Sequence, residues 1–338
     1  MNKIKFRKIG NIKFLYFLLT LFIILLSFSS IAIGVANISI KDCFEIFFSN
    51  LFSETPETST EIIIMKLRVP RILLALLTGV NLAVTGAVYQ SIFKNSMADP
   101  YILGVSSGAS LGAAIGFLIG GFIPIFAFVG AIIANALVFL LSGVKGKSST
   151  IRLLLAGIGI NYLFSSALAL IRTYSNDRQI ELFMWGMGNF STATYKRVIV
   201  LALISAPILI YFFLNRKNLN LLLLGEDVAK SLGVDSVTLR RNLLIASSIL
   251  IATTVSFTGT IGFVGLIIPH MIRMVMGSNY RKNFIFIAML GMIFLLVCDN
   301  ISRSVLENTE VPIGIVTSIF GAPYFMYLVY KERKKVEG

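Results

Sequence analysis

The stretch that decides the fold is residues 122–142, FIPIFAFVGAIIANALVFLLS, which contains no charged side chain. A helix needs about 20 mostly apolar residues to cross the hydrocarbon core of a bilayer, and this stretch has that length. Residues 14–35, FLYFLLTLFIILLSFSSIAIGV, form a second stretch of the same kind. Because lipid cannot hydrogen-bond a peptide backbone, such segments fold as helices whose backbone groups satisfy one another.

Similar runs occur along the whole chain. Apolar residues make up 56% of its 338 residues, whereas soluble domains contain about 45–50%. The runs are continuous and lack the alternation of lipid-facing barrel strands. We therefore predict an all-α polytopic membrane protein whose ten spans cover about 14–35, 69–92, 101–120, 122–142, 151–172, 197–214, 242–260, 262–276, 284–304 and 311–330.

These spans form one membrane domain over residues 1–338. Its parts are the N-terminal span at 14–35, a first half at 69–172, a long connection at 215–241 and a second half at 242–330. The first run could belong to a signal peptide, but it is longer than the roughly 7–15 apolar residues of a typical signal-peptide core. We therefore expect it to be a membrane span. Matched glycine junctions in oppositely directed spans suggest an inverted repeat, a common plan for transporters.

The distribution of charge supports ten spans with both termini in the cytoplasm. With the N-terminus inside, the inner face receives 21 of the 30 lysines and arginines and only 6 of the 16 acidic residues. This is the asymmetry that the positive-inside rule describes. The net charge of +14 is therefore explained without a nucleic-acid partner.

Two connections are long enough to form structure of their own. Residues 38–52 have an apolar face beside Lys41, Asp42 and Glu45, so they form either a helix at the outer membrane interface or a solvated loop helix. Residues 215–241 predict two short helices joined by a glycine. Their apolar residues either dock a cytosolic partner or pack against the span ends; they are Leu221–Leu224, Val228, Ala229 and Leu232.

The sequence lacks the residue sets of an enzyme. It contains one histidine, His270, and two distant cysteines, so neither a metal centre nor a catalytic triad is expected. Residues Gly146-Lys147-Ser148 resemble the end of a phosphate-binding loop, but Leu141 stands where that loop needs glycine. If ATP drives this protein, it binds to another chain. The scarcity of ionisable residues within spans argues against an ion-gradient-driven carrier, the alternative from a different class.

Three arginines, Arg68, Arg71 and Arg303, lie on the outer side and depart from the charge rule. Arginine binds carboxylates through two parallel hydrogen bonds, so these residues could receive acidic groups of a partner. Local pairing within the chain is equally compatible with the sequence. The local candidates are Glu61, Glu307 and Glu310.

The motifs along the chain resemble the FecCD or BtuC-like permease family, which serves iron-siderophore, haem and cobalamin uptake. The resemblance covers nearly everything after the first span. The residues that carry it are Arg68-Val-Pro-Arg71, Thr85-Gly-Ala-Val-Tyr-Gln90, Asn95-Ser-Met-Ala-Asp-Pro100, Leu103-Gly-Val-Ser-Ser-Gly-Ala109, Leu153-Leu-Leu-Ala-Gly157, Trp185-Gly-Met-Gly188, Leu224-Gly-Glu226, Gly262-Phe-Val-Gly-Leu-Ile-Ile-Pro-His270 with Arg273, Glu310-Val-Pro-Ile-Gly314 and Gly321-Ala-Pro323.

This resemblance implies the fold of a type II ATP-binding cassette (ABC) importer, located in the bacterial cell membrane. It implies a second permease subunit, as a homodimer or heterodimer, two cytoplasmic ATPase subunits that hold ATP and magnesium, and an external substrate-binding protein. No cofactor is expected in this chain. Ferric siderophore is the expected cargo, with haem or cobalamin as alternatives.

The resemblance also implies roles for individual residues, with a path for the cargo along the fifth and tenth spans. Binding-protein docking is implied for Arg68, Arg71 and Arg303. Coupling to the ATPase is implied for Leu224, Gly225, Glu226, Ala229, Leu232 and Gly233. An inner gate is implied for Asn95, Ser149 and Thr150.

Overall fold

The computed structural model describes residues 12–34, 38–50, 58–143, 150–174, 179–306 and 309–336. Within these ranges the chain is helical and contains no strand. A π-helical segment, Ile63–Arg68, joins α3 to α4, and a 3-10 turn, Pro100–Leu103, precedes α5. The α-helices are α1 (Ile12–Ala32), α2 (Ile40–Asn50), α3 (Ser59–Ile62), α4 (Val69–Ile92), α5 (Val105–Ile119), α6 (Ile123–Ser142), α7 (Thr150–Tyr174), α8 (Gln179–Gly186), α9 (Tyr195–Leu214), α10 (Arg216–Leu224), α11 (Glu226–Ser231), α12 (Ser236–Thr258), α13 (Val264–Met276), α14 (Tyr280–Ser304) and α15 (Ile313–Val336).

A helix lies at each of the ten predicted spans. Eight are long and apolar enough to cross a membrane, among the residues that the structure describes. The other two, α5 and α13, have 15 and 13 residues. At 1.5 Å per residue, α13 is about 20 Å long, shorter than a hydrocarbon core of about 30 Å.

The loops that enter the two short helices pack against each other inside the protein. The Tyr101 hydroxyl accepts a hydrogen bond from the Ile261 N–H at 3.2 Å, and Pro100, Leu103 and Ile261 are buried. Non-helical backbone is tolerated at membrane depth where protein surrounds it. The residue before each short helix, Gly104 before α5 and Phe263 before α13, has a left-handed backbone conformation. The two helices therefore begin in the same way. The predicted inverted repeat stays a prediction.

Helix α4 forms the centre of the bundle, because small residues let its neighbours approach closely. A Cβ atom on Gly79 would overlap the carbonyl oxygen of Gly291 in α14. A Cβ atom on Gly86 would likewise overlap the carbonyl oxygen of Gly265 in α13. Such backbone contacts gain dispersion energy where lipid offers no hydrophobic driving force.

The α5–α6 pair is packed in the same manner. Gly120 has φ +67° and ends α5, so the chain reverses before α6 starts at Ile123. Gly108 lies directly against the Gly130 backbone across the pair. The small residues of 104–116 therefore serve helix packing.

The two ends of the bundle are distinguished by their contacts. We call them the arginine end, defined by Arg303 and its neighbours, and the α10–α11 end. At the first, Arg303 of α14 donates to the Ile33 carbonyl just after α1, at 2.7 Å. At the second, the Tyr16 hydroxyl of α1 donates to the Lys282 carbonyl of α14 at 3.3 Å. Helices α1 and α14 are therefore parallel, as the first and ninth spans of the predicted alternation must be.

Helix α2 confirms a helix within residues 38–52. Phe44 stacks on Phe28 of α1 with ring centroids 5.2 Å apart, while Lys41 and Glu45 form an exposed ion pair at 3.8 Å. The aromatic contacts hold α2 against α1 through its apolar face. Its location at a membrane interface stays a prediction.

Candidate functional sites at the two ends of the bundle

The fold brings the three predicted docking arginines into one cluster. Arg68 ends the π-helical segment, Arg71 lies in the first turn of α4, and Arg303 lies in the last turn of α14. All three are buried, with 6%, 7% and 3% of their surface exposed. Buried guanidinium groups need compensating partners, since an unpaired buried charge is very costly.

Asp299 supplies the central compensation and was not among the predicted site residues. Its Oδ1 accepts hydrogen bonds from Arg71 Nε and lies 2.9 Å from Arg71 Nη2. Its Oδ2 lies 3.1 Å from Nε of Arg303, in the next turn of the same helix. Asp299 is fully buried. The spacing of four residues between Asp299 and Arg303 is a helical pair that sequence reasoning could have found.

Glu310 is the second counter-ion, as one of the local pairing alternatives anticipated. Both of its carboxylate oxygens lie 2.8 Å from Arg71 Nη1. Glu61 instead forms a capping box with Thr58 at the start of α3, and Glu307 lies outside the described residues. Arginines of the cluster therefore do pair with carboxylates of the same chain, and these carboxylates are Glu310 and Asp299.

The other two arginines also donate hydrogen bonds to backbone carbonyl groups at the end of α1. Arg68 Nη1 donates to the Ile31 carbonyl at 2.6 Å and to the Ala32 carbonyl at 3.1 Å. Arg303 donates to the Ile33 carbonyl and to the Asn300 side chain. A helix leaves its last four carbonyls unpaired, and cations near that end are favourable. The cluster thus joins α1, α4 and α14.

The cluster is open to solvent on the side of Glu310. The Glu310 side chain is 32% exposed, against 8% for Arg71. A depression of about 340 Å³ lies above them. Counting three arginines and two carboxylates, the cluster carries one excess positive charge. A carboxylate from outside could therefore reach Arg71 by exchange with Glu310. The residues around the depression are Gly34, Ile63, Leu67, Arg68, Arg71, Ser191, Arg303 and Glu310.

The predicted pair of short helices exists at the opposite end of the molecule. Gly225 joins α10 to α11 with φ +125° and ψ 159°, a backbone region that is essentially restricted to glycine. Gly233 has φ +81° and follows α11. Its N–H donates to the Lys230 carbonyl at 3.0 Å. Glycine thus allows both turns of this segment.

This segment packs against the protein and also presents an apolar face to the outside. Leu219, Leu222 and Ala229 are buried, as the self-packing alternative requires. The outward face keeps 65% of the surface of Leu224, 41% of Val228 and 60% of Leu232 exposed. The backbone of Glu226 is part of α11, whereas its side chain lies outside the described part of the structure. The exposed leucines make this face a candidate docking surface.

Two of the three predicted gate residues are described. Asn95 is exposed in the loop after α4, and its side-chain oxygen accepts the Met97 N–H at 2.9 Å. Thr150 is the first residue of α7, and its hydroxyl accepts a hydrogen bond from Arg240 Nη2 at 2.8 Å. Ser149 and the loop-like Gly146-Lys147-Ser148 lie outside the described residues. Burial raises the pKa of Asp99, in the same loop as Asn95, to about 6, opposed by the Tyr101 N–H.

The described residues contain no group of three or more His, Cys, Asp or Glu side chains that could hold a metal ion. His270 is buried in α13, with its ring 6.3 Å from that of Tyr324. This placement fits a packing role for His270.

Comparison with known proteins shows similarity to membrane transport permeases along nearly the whole chain. The FecCD transport family matches residues 19–331. The hemin transport system permease HmuU of Yersinia pestis is 35% identical over 332 residues, covering 95% of this chain and 96% of that protein. The cobalamin import permease BtuC of Halobacterium salinarum is 36% identical, covering 81% and 74%. A solved ABC transporter assigned to the metal-chelate type, in an inward-facing conformation, has a TM-score of 0.82 and 31% identity, covering 95% and 100%.

Proposed function

Because this chain belongs to the FecCD transport family, it is a multi-pass permease subunit of an ABC importer, and we propose that its cargo is a ferric siderophore. It is a transport component and not an enzyme, so ATP is bound and hydrolysed, in this proposal, by partner subunits that hold ATP and magnesium. The family match across residues 19–331 carries the permease assignment. The cargo proposal is supported by the similarity to a probable iron chelatin permease of Helicobacter pylori, 34% identical, and to the iron(3+)-hydroxamate permease FhuG of Bacillus subtilis, 32% identical.

The proposed cargo path follows α7 and α15, which are the fifth and tenth predicted spans, and the middle of each helix contains no charged side chain. In α7 the charged residues are Arg152, near the start, and Arg172, in the last turn. In α15 the first charged residue is Lys331, near the helix end. Between these positions a bulky chelate would meet apolar, aromatic and small polar side chains. Such a surface offers no charged group that would distinguish one chelate from another, so the external binding protein would select the cargo.

Uptake into proteoliposomes tests the cargo. The permease is reconstituted with its ATPase subunits and binding protein, and ATP-dependent entry of radiolabelled ferric siderophore, hemin and cobalamin is compared. We expect ferric siderophore to enter. Entry of hemin alone would support the second candidate, which the 35% identity to HmuU over 95% of the chain favours.

The ATPase is proposed to bind the exposed face of α10 and α11. Leu224, Val228 and Leu232 present their apolar surface there, whereas Ala229 is buried and fixes α11 to the bundle. We expect Leu232→Asp to reduce co-purification of the ATPase, since a charge would have to enter an apolar contact. The matched control is Lys230→Asp, in the last turn of α11 and two residues before Leu232. Full ATPase binding by Leu232→Asp would refute this docking face.

The external binding protein is proposed to dock at the arginine end, as an acidic partner. Since Arg71 is already bound to Glu310, a partner carboxylate would replace Glu310 and release it to solvent. We therefore expect Arg68→Glu with Arg71→Glu to abolish stimulation by the binding protein. We expect Glu310→Gln to tighten binding about fivefold, because it removes a competing carboxylate from a partly exposed pair. Weaker binding of Glu310→Gln would contradict the exchange.

The gate is proposed to act through a shift between two conformations of the permease dimer, one open to the outside and one open to the cytoplasm. ATP binding would close the ATPase pair and move α10 and α11, and hydrolysis would restore the first facing. A partner shifts such an equilibrium only by the difference in its affinity for the two states. Asn95, Ser149 and Thr150 are the residues assigned to the inner gate.

Both termini are proposed to lie in the cytoplasm, and the charge distribution alone supports this orientation. It would place the arginine end outside and the α10–α11 end inside, as the two docking proposals require. A fluorescent protein fused to the C-terminus should fluoresce, while alkaline phosphatase fused there should be inactive. Active phosphatase would reverse both docking assignments.

A further inference from the structure

We propose that Arg240 is a positioning residue that transmits movement of α10 and α11 to the start of α7, through its hydrogen bond to Thr150. The inference rests on the proposed ATPase docking and on the proposed gate role of Thr150. It adds a specific contact between the two, formed by residues 90 positions apart in the sequence.

The first part of this connection is the short link from α11 to α12. Four residues separate Ser231, which ends α11, from Ser236, which starts α12. The Val234 N–H donates to the Ala229 carbonyl at 2.9 Å, which closes the end of α11. The Asp235 carboxylate then accepts the Thr238 N–H at 3.2 Å and caps α12. Each helix end is thus capped by residues of the link itself, and in this proposal the short, capped link carries movement of α11 to the first turns of α12.

The second part is the Arg240 side chain. It lies five positions into α12, keeps 9% of its surface exposed, and donates from Nη2 to the Thr150 hydroxyl at 2.8 Å. A hydrogen bond from a charged donor is about twice as strong as a neutral one, and the planar guanidinium gives it direction. The adjacent Arg241 is exposed. The two neighbouring arginines thus differ in burial, and Arg240 forms the hydrogen bond to Thr150.

The third part is the position of Thr150 itself. It is the first residue of α7, which packs on α5 and α6. A displacement of the α12 start that carries Arg240 would therefore pull on the first turn of a helix assigned to the cargo path. The hydroxyl is the acceptor, so Thr150→Val removes the bond while keeping the shape of the side chain.

The test measures cargo imported per ATP hydrolysed, in proteoliposomes that hold the permease, its ATPase and the binding protein. We expect Arg240→Met and Thr150→Val each to lower this ratio about tenfold, with the double variant no worse than either single one. Thr150→Ser keeps a hydroxyl and should restore the ratio. Arg241→Met, the matched control, should behave as wild type. ATPase co-purification should be unchanged in all of them.

Three results would overturn the proposal. They are a wild-type ratio in Thr150→Val, losses that multiply in the double variant, and an equal loss in Arg241→Met. If Arg240→Met fails to assemble, Thr150→Val and Thr150→Ser decide by themselves. Failure of the underlying docking proposal is seen separately, as full ATPase binding by Leu232→Asp.

Discussion

Asp299→Asn is the substitution whose consequence the structure determines most directly. Asp299 is fully buried and contacts two guanidinium groups, Arg71 at 2.9 Å and Arg303 at 3.1 Å. Asparagine has nearly the same shape, so no cavity forms. The change removes the negative charge and replaces one acceptor oxygen with an NH₂ donor that faces an arginine.

The size of the effect follows from what each arginine retains. Arg71 keeps Glu310, whereas Arg303 loses the one carboxylate with which it pairs in the described part of the chain. Breaking a buried ion pair by removing one partner costs about 3–5 kcal/mol. We expect the lower end, about 3 kcal/mol, because Arg303 also binds backbone carbonyls. The comparison is Glu310→Gln, whose partly exposed pair contributes about 1 kcal/mol or less.

The two cysteines provide the assay. Cys43 and Cys298 are both buried and free, so a thiol-reactive fluorogenic dye labels the protein only as it unfolds. At one heating rate we expect the midpoint of Asp299→Asn to fall by about 6 °C or more. Glu310→Gln should shift the midpoint by roughly 2–3 °C. A midpoint of Asp299→Asn close to that of wild type, or equal losses in the two variants, would refute the central role of Asp299.

Three further predictions concern backbone and loop contacts. Gly225→Ala forces a side chain onto glycine-only backbone at a cost of about 1–3 kcal/mol; cargo per ATP should fall while membrane insertion, measured by fractionation, is retained. Gly86→Ala should lower the unfolding midpoint, because its Cβ would overlap the Gly265 carbonyl, whereas Gly159→Ala has open space and should not. Tyr101→Phe leaves the Ile261 N–H without its acceptor and should cost about 1–3 kcal/mol in the same assay. A neutral Tyr101→Phe would mean that this contact does not hold the two loops together.

Much of the fold was predictable because a membrane restricts the choices of the chain. The requirement for internal backbone hydrogen bonds turns each long apolar run into a helix, so a helix lies at each of the ten predicted spans. The largest deviations are the start of α12, at Ser236 against the predicted 242, and the end of α15, at Val336 against the predicted 330. The joint at Gly225 was predictable for a similar reason, since glycine interrupts an otherwise helical pattern. Even α13, which is too short to cross the hydrocarbon core by itself, lies within two residues of the predicted 262–276.

The arginine cluster shows where sequence reasoning stopped. Charge patterning singled out Arg68, Arg71 and Arg303, and left open whether they bind a partner or the chain itself. Only the packing of α1, α4 and α14 showed that they share Asp299, and that Glu310 occupies Arg71. Pairing of residues more than 200 positions apart depends on which helices are neighbours, and hydropathy does not contain that information.

The sequence by itself determined the spans, their alternation and the resemblance to a transport family, because these depend on local composition and on motifs read in order. The tertiary structure decided which buried charges meet, which leucines of α10 and α11 remain exposed, and that Arg240 reaches Thr150. The physical reason is that a helix in lipid is specified by its own residues, whereas contacts between helices are specified by pairs of surfaces that fold together from distant parts of the chain.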